Sequence, residues 1–423
     1  MKDFIDVQEK PSWGQMLPLS FQHLFAMFGS TVLVPYLLKV DPATALFMNG
    51  IGTLIYLFVC EGKIPAYLGS SFAFIAPVAS VLAAGLGYEA AKGAFVVFGI
   101  SFVLLSILVR YIGIKWIDVL FPPAAMGAIV AIIGLELAPV AMSMAGLIGD
   151  QTYGMTHSQA ITLSLFSLGV TLLGTVVFRG FLAVIPVLIG VVAGYVLAAF
   201  MGVVDFSGVE QAAWFQFPHF YGMPVFDINA IIMIMPALFV VFAEHVGHLV
   251  VTSNIVSRDL MKEPGLQRSL LGDGLANILS GLFGATPNTT YGENIGVLAI
   301  TRCFSVWVIG GATVLAMIGS FVGKFAALIH AIPVPVMGGV SILLFGIIAV
   351  SGLRMLVERK VDYTNPVNMI LTSVILVVGL SGAELVIGPV VLKGMGLATV
   401  VGMALSIIIL ILKKTGLGNS QVK

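Results

Sequence analysis

The spacing of charge constrains this chain more than any other feature. Charged residues are 9% of its 423 positions, and they sit in short clusters separated by apolar stretches. A soluble globular protein carries about 25% charged residues, whereas a helix needs about 20 apolar residues to cross a bilayer. The pattern therefore dictates a polytopic membrane protein with no separate aqueous catalytic domain. Read between charged or Pro/Gly-rich breaks, the apolar runs lie near 17 to 38, 43 to 60, 66 to 84, 91 to 110, 121 to 141, 159 to 178 and 181 to 201. After a polar, aromatic stretch from Asp205 to Asp227 they resume near 228 to 256, 269 to 284, 286 to 301, 304 to 329, 333 to 353, 366 to 382 and 394 to 412. The expected fold class is all-α and polytopic, with 14 transmembrane segments in two sets of seven.

Twenty Lys plus Arg balance twenty Asp plus Glu. No basic field is left to hold nucleic acid, so besides the lipid bilayer the partners to expect are a small molecule or another membrane chain. Cys60 and Cys303 are too few and too far apart for a disulfide scaffold or a thiolate metal site. The amino terminus MKDFIDVQEKPSWGQ has no short apolar run before a small-residue cleavage site, so the first apolar run reads as a retained span.

Orientation follows from Lys and Arg in the short loops. With the amino terminus inside and 14 crossings, 16 basic residues fall on the cytoplasmic side, and only Lys39, Lys92, Lys324 and Lys393 fall outside. Both termini are thereby expected in the cytoplasm, and the chain in the cytoplasmic (inner) membrane.

The two sets also resemble each other. Pro122-Pro123-Ala124-Ala125-Met126-Gly127-Ala128-Ile129 matches Pro333-Val334-Pro335-Val336-Met337-Gly338-Gly339-Val340 at an offset of 211, half the chain, and each copy opens a span. Residues 1–205 and 206–423 thus read as two repeats of seven, and an odd number of crossings per repeat inverts the second relative to the first.

In such an arrangement the site is sought at corresponding interrupted segments, here the third and tenth. The third, Pro65 to Pro77, has prolines at both ends and Ser70 and Ser71 where a spanning helix would carry Leu or Val. The tenth, Gly284 to Gly296, contains Pro287-Asn288-Thr289-Thr290-Tyr291-Gly292, which favours extended backbone. Each reads as a short extended piece leading into a half helix. Such backbone survives at membrane depth only inside protein or along a wet cavity, and two pieces satisfy one another by pairing.

Four carboxylates lie within the apolar runs. Glu136, near the outer end of its span, reads as reaching the headgroup region, and Asp273, near the start of the ninth, as a helix-entry carboxylate facing the dipole's positive end. Glu244 lies about 16 residues into the eighth span, with His248 four positions later on the same helical face. A carboxylate beside an imidazole at low dielectric can hold and release one proton. The order E-H-x-x-H matches no zinc-protease motif, and neither a metal nor a cofactor is expected. Glu293 closes the broken tenth segment behind Tyr291 and Gly292. Two carboxylates plus exposed backbone N–H groups complement a small planar molecule bearing both N–H and C=O groups, and Phe72 can stack on its face.

Gln22-His23, Ser70-Ser71-Phe72-Ala73-Phe74, Ala243-Glu244-His245-Val246-Gly247-His248 and Asn288 to Asn294, followed by Gly296, Thr301 and Arg302, resemble the nucleobase/ascorbate transporter family over essentially the whole chain. The E-N-x-G-x-x-x-x-T-R signature at Glu293 to Arg302 is the most specific part, and the match is close to the family's bacterial uracil-type members. The resemblance implies a core domain at about 15–115 and 228–330, a gate domain at about 116–227 and 331–415, and short antiparallel strands in the third and tenth segments. It also implies uracil–proton symport by alternating access, and a homodimer joined through the gate domain. Carried over, Glu244 and Glu293 hold the uracil nitrogens and the Phe72 and Gly292 amides meet its carbonyl oxygens. Tyr291, Ser71 and Ser30 line the pocket, and His248, Glu244, Glu293 and Asn294 carry the proton. Ser30 stands where another small residue such as alanine is expected, an added hydroxyl that tunes affinity.

Three rival readings stand beside this one. A purine or xanthine permease is disfavoured by Glu293, an intramembrane hydrolase requires zinc, and a passive channel leaves the Glu/His cluster without purpose.

Overall fold

The computed structural model describes residues 4–113, 115–149, 153–388 and 390–415. The first half runs α1 (Trp13–Ala26), α2 (Phe28–Leu38), α3 (Pro42–Val59), β1 (Leu68–Ser70), a 3-10 turn at Phe72–Phe74, α4 (Ile75–Ala83), α5 (Gly87–Ile112), α6 (Lys115–Leu120), α7 (Pro123–Met144), α8 (His157–Val177) and α9 (Pro186–Phe200). A connection holding α10 (Ser207–Gln211) leads to the second half. This runs α11 (Ile228–Ile234), α12 (Ala237–Val256), α13 (Leu266–Phe283), β2 (Asn288–Thr290), α14 (Gly292–Thr301), α15 (Val306–Ser320), α16 (Gly323–His330), α17 (Val334–Glu358), α18 (Pro366–Leu380), β3 (Glu384–Ile387), β4 (Val390–Lys393) and α19 (Gly394–Thr415). Among the described residues, eight helical stretches are long and apolar enough to cross a membrane and four more apolar helices are shorter. The protein is a mostly helical, multi-pass membrane protein.

Local chemistry sets the helix starts. Proline occupies the first turn of α3, α7, α9, α17 and α18, where its missing N–H costs nothing. Asp41 caps α3 by accepting from the Ala43 N–H at 3.0 Å, Asp227 caps α11, and Thr156 with Gln159 forms a capping box on α8. The helices pack closely where glycine removes the side chain. A Cβ at Gly134 would collide with the backbone of Phe345 and Ala349, and one at Gly352 with that of Ala131, so α7 and α17 touch backbone to backbone. α13 lies as close to α5 through Gly99 and Gly274. Helices α1, α3, α5, α13 and α15 pack on one another, as do α7, α8, α9, α17, α18 and α19.

The two broken segments pair. β1 runs antiparallel to β2 with Leu68 opposite Thr290, Gly69 opposite Thr289 and Ser70 opposite Asn288. Each strand feeds a short helix, so both segments have the extended-then-helical form read from their prolines and hydroxyl residues.

Several expectations change. The eighth run keeps its extent, Ile228–Val256, but breaks into two helices where Pro236 offers no N–H to continue α11. The eleventh divides at Phe321–Val322, where Val322 bridges to Phe215 of the connecting stretch. An antiparallel hairpin of β3 and β4 lies between the last two helices, where the apolar runs leave only a loop. Glu136 has a protein partner besides: its carboxylate accepts the Met395 N–H at 2.8 Å and caps the start of α19. Asp273 is no helix-entry residue. It lies two turns into α13, fully buried.

The stretch joining the two halves is a strap laid across helix ends. Gln216 donates to the Phe321 carbonyl at 2.9 Å, Val225 to that of Glu89 at 2.9 Å, and the Tyr221 hydroxyl accepts the Asp41 N–H at 2.9 Å. The buried Lys92 ammonium donates to the Gly222 carbonyl.

Candidate functional site

The paired strands leave two half helices starting side by side. Ser71 precedes the 3-10 turn, accepting the Ala73 N–H on its hydroxyl at 3.3 Å and donating its own N–H to the Pro287 carbonyl at 2.9 Å. Tyr291 precedes α14, whose first turn carries Gly292, Glu293 and Asn294. Amino-terminal N–H groups lack intrahelical acceptors and sit at the positive end of the dipole. Two such ends converging make a surface that receives carbonyl or anionic oxygen.

Helix α12 supplies the opposing wall. The His248 Nδ1 atom lies 3.0 Å from the Thr290 hydroxyl, which locks α12 to β2. A Cβ at Gly292 would stand 3.2 Å from His248 Nε2, so the absent side chain keeps the imidazole against the start of α14. Glu244, half-buried one turn earlier on α12, is within electrostatic reach of Glu293. Glu293, in the first turn of α14, is exposed.

The remaining candidates serve the frame around this centre. Tyr291 is buried, and its hydroxyl donates to the Ser70 carbonyl at 2.9 Å. Its ring lies over Gly69, where a Cβ would collide with it. Ser30 and Thr31 on α2 approach the same hydroxyl, Thr31 at 3.5 Å. Phe72 is half-buried and meets Phe345 of α17 edge-on at 5.9 Å between ring centres. The Asn294 amide donates to the His23 carbonyl at 3.2 Å and lies 3.1 Å from its ring nitrogen, fixing α14 to α1. The structure thus brings Glu244, Glu293, His248, Gly292 and Phe72 around the strand pair. It sets Ser71, Tyr291, Ser30 and Asn294 in hydrogen bonds that hold the frame.

Sequence reasoning missed Thr290, Gly69, Thr31 and Phe345, each one contact from a candidate. It also missed Asn277, whose side chain accepts the Asn288 N–H at 2.7 Å and donates to the Asn288 carbonyl at 3.0 Å, acting as a third strand beside β2. The spacing of Asp273 and Asn277 on one face of a helix was the available signal. Among the described residues no group of three or more His, Cys, Asp or Glu side chains is arranged to hold a metal ion.

A polytopic bundle built around two discontinuous, strand-paired segments has the form of a secondary membrane transporter. Residues 14–388 match a family described as "Permease family". The chain belongs to this family, the nucleobase/ascorbate transporters, and is a transporter rather than an enzyme. It is 58% identical to a uracil permease of Paenibacillus larvae subsp. larvae over 99% of this chain and 100% of that one. It is 60% identical to a uracil permease of Escherichia coli K12 over 96% and 93%, and 46% identical to that of Bacillus subtilis over 96% and 95%. Among solved structures, the transmembrane domain of a cyanobacterium bicarbonate transporter, BicA, superposes with a TM-score of 0.65 at 15% identity over 95% of this chain and 100% of that one. Murine Solute Carrier 26 family member A9, an anion transporter in the inward-facing state, gives 0.70 at 13% over 96% and 69%. At such identities the likeness is one of fold alone.

Proposed function

We propose that this chain imports uracil across the cytoplasmic membrane together with protons. The observation that carries the reading is the junction of two half-helix amino termini at the β1–β2 pair, with Glu293 in the first turn of α14 and Glu244 one turn before His248 on α12, which bonds Thr290 of β2. Uracil presents two ring N–H groups and two carbonyl oxygens on one plane. Carboxylates accept from the first, and the Phe72 and Gly292 amides donate to the second. The names of the 58% and 60% identical relatives support the same cargo. His248, beside Gly292 and one turn from Glu244, gives the proton a second acceptor next to the substrate. Ser71, Tyr291, Ser30 and Asn294 complete the pocket and the proton path.

In this reading the chain makes 14 crossings in two inverted repeats, with both termini in the cytoplasm. The helices of 15–115 and 228–330 form the core that carries the substrate, and those of 116–227 and 331–415 form the gate. Alternating access comes from movement of one against the other, and two gates meet in a homodimer.

The test is uptake of labelled uracil into proteoliposomes holding the purified chain, with and without an inward proton gradient. Accumulation driven by the gradient and competed by uracil but not xanthine is the expected result. Uptake that never exceeds equilibrium removes the coupling, and competition by xanthine in place of uracil removes the cargo.

A further inference from the structure

Beyond the pocket lies a second polar cluster that the proposed import does not use. His245 Nδ1 is 3.0 Å from Asp273 Oδ2, with both side chains fully buried, and neither atom has another partner among the described residues. On the other side of the ring, His245 Nε2 is 2.7 Å from the Ser269 hydroxyl, which is 2.6 Å from the Tyr56 hydroxyl. Tyr56 lies one turn before Cys60, which ends α3. The next residue, Glu61, pairs at the surface with Lys63 and Arg268. In the opposite direction, Asp273 Oδ1 accepts from the Asn277 amide at 3.1 Å, and that amide bonds the backbone of Asn288 in β2. A polar line therefore runs from Tyr56, buried one turn inside the end of α3, to the strand that shapes the pocket.

The line has a direction, and that direction can reverse. While His245 is neutral, its Nδ1–H faces Asp273 and its Nε2 must accept, so the Tyr56 hydroxyl donates to Ser269 and Ser269 to His245. One added proton makes Nε2 a donor. Ser269 then donates to Tyr56, and the Tyr56 hydroxyl turns to the Cys60 sulfur beside it. No heavy atom has to move. The groups able to perturb the pair are few. Helix α12 brings Glu244 and His248 within electrostatic reach, and α3 brings Tyr56 and Cys60. Arg268 and Glu61 act on Cys60 at the rim, and Glu293 of α14 acts on Glu244. Helix α5 presents the Phe102 ring edge-on to His245, 6.3 Å between centres.

We propose that Asp273 and His245 form a second proton-binding site outside the substrate pocket. It exchanges protons with the α3 rim through Ser269 and Tyr56, and passes its state to β2 through Asn277. The rim lies on the face that the Lys/Arg count assigns to the cytoplasm, so the site serves the inner half of the proton's route. This inference rests on the reading of the chain as a uracil–proton symporter.

The experiment uses proteoliposomes of the full chain with a pH-sensitive dye inside, comparing wild type with Asp273→Asn and Tyr56→Phe. Two quantities are read: uracil counterflow at equal pH, and acidification of the interior driven by uracil entry, over a range of pH. Both variants are expected to keep counterflow within about threefold of wild type while the proton flux falls about tenfold or more and its pH profile moves. Unchanged proton flux and pH profile in both variants overturn the proposal. So does a parallel fall of counterflow and proton flux, which marks a packing role. Should Asp273→Asn not fold, Tyr56→Phe decides alone, since it removes one hydroxyl and keeps the ring. Wild-type vesicles that exchange uracil without acidifying overturn the coupling itself, a result distinct from a loss confined to the variants.

Discussion

Glu293 concentrates most of the chemistry of the site. A carboxylate there offers two acceptor oxygens to a ring N–H, and an amide puts a donor in place of one of them. Glu293→Gln and Glu244→Gln are therefore each expected to weaken uracil binding about 10- to 100-fold, the loss of one hydrogen bond to a charged group. Titration of the purified variants with uracil by calorimetry checks this, and wild-type affinity in Glu293→Gln would remove that residue from the pocket. At this scale the sequence was legible where a relation is local. Glu244 and His248 share a helical face by spacing alone. The partnership of His245 with Asp273 was not legible, because it joins two helices 28 positions apart, and no pattern within either run announces it. Tyr291 was read as a pocket residue, but the donor that its hydroxyl makes to Ser70 depends on a register between strands that only folding creates.

At the level of elements, long apolar runs carried the reading well, since twenty residues without charge leave little choice of structure in a bilayer. The interruptions at Pro65 to Pro77 and Gly284 to Gly296 were equally legible, because proline and clustered hydroxyl residues oppose a lipid-facing helix. The hairpin of β3 and β4 was passed over, although Gly388-Pro389 between β-branched runs is turn chemistry. Contacts between elements were invisible, and the glycines show why: Gly134 and Gly169 look alike in sequence, yet one meets the backbone of α17 and the other meets nothing within 4 Å. Gly134→Ala is expected to destabilise the protein by about 1–3 kcal/mol through overpacking, and Gly169→Ala to raise its stability slightly, by up to about 1 kcal/mol, through helix propensity. Thermal unfolding of both variants in detergent separates them, and equal midpoints would remove the close α7–α17 approach.

For the whole molecule, the testable property is orientation. Cys60 and Cys303 are buried, so a cysteine placed at an exposed position reports its side of the membrane against little background. In intact cells, a membrane-impermeant maleimide is expected to label Lys393→Cys and to spare Lys360→Cys until the cells are permeabilised. The reverse pattern inverts the proposed topology. Neither halving of the chain nor the positive-inside count depends on details of packing, so both are readings of sequence alone and the labelling experiment is their test.

The pairing of β1 with β2 bears on how the chain is made. β1 finds its strand partner in β2, with Leu68 opposite Thr290, while Leu68 also bonds the Thr53 hydroxyl of α3 through its N–H and its C=O, and the amino-terminal Ile5 pairs with Cys303. While the ribosome is still building the second half, the first already lies in or beside the bilayer with the edge of β1 open, and each unpaired amide or carbonyl there costs several kcal/mol. The native state therefore cannot assemble span by span from the amino terminus. It closes late, when the tenth segment arrives, and until then the third segment must be kept wet or sheltered by the machinery that inserts it. Truncation before β2 consequently leaves a substrate for quality control, and not half a transporter.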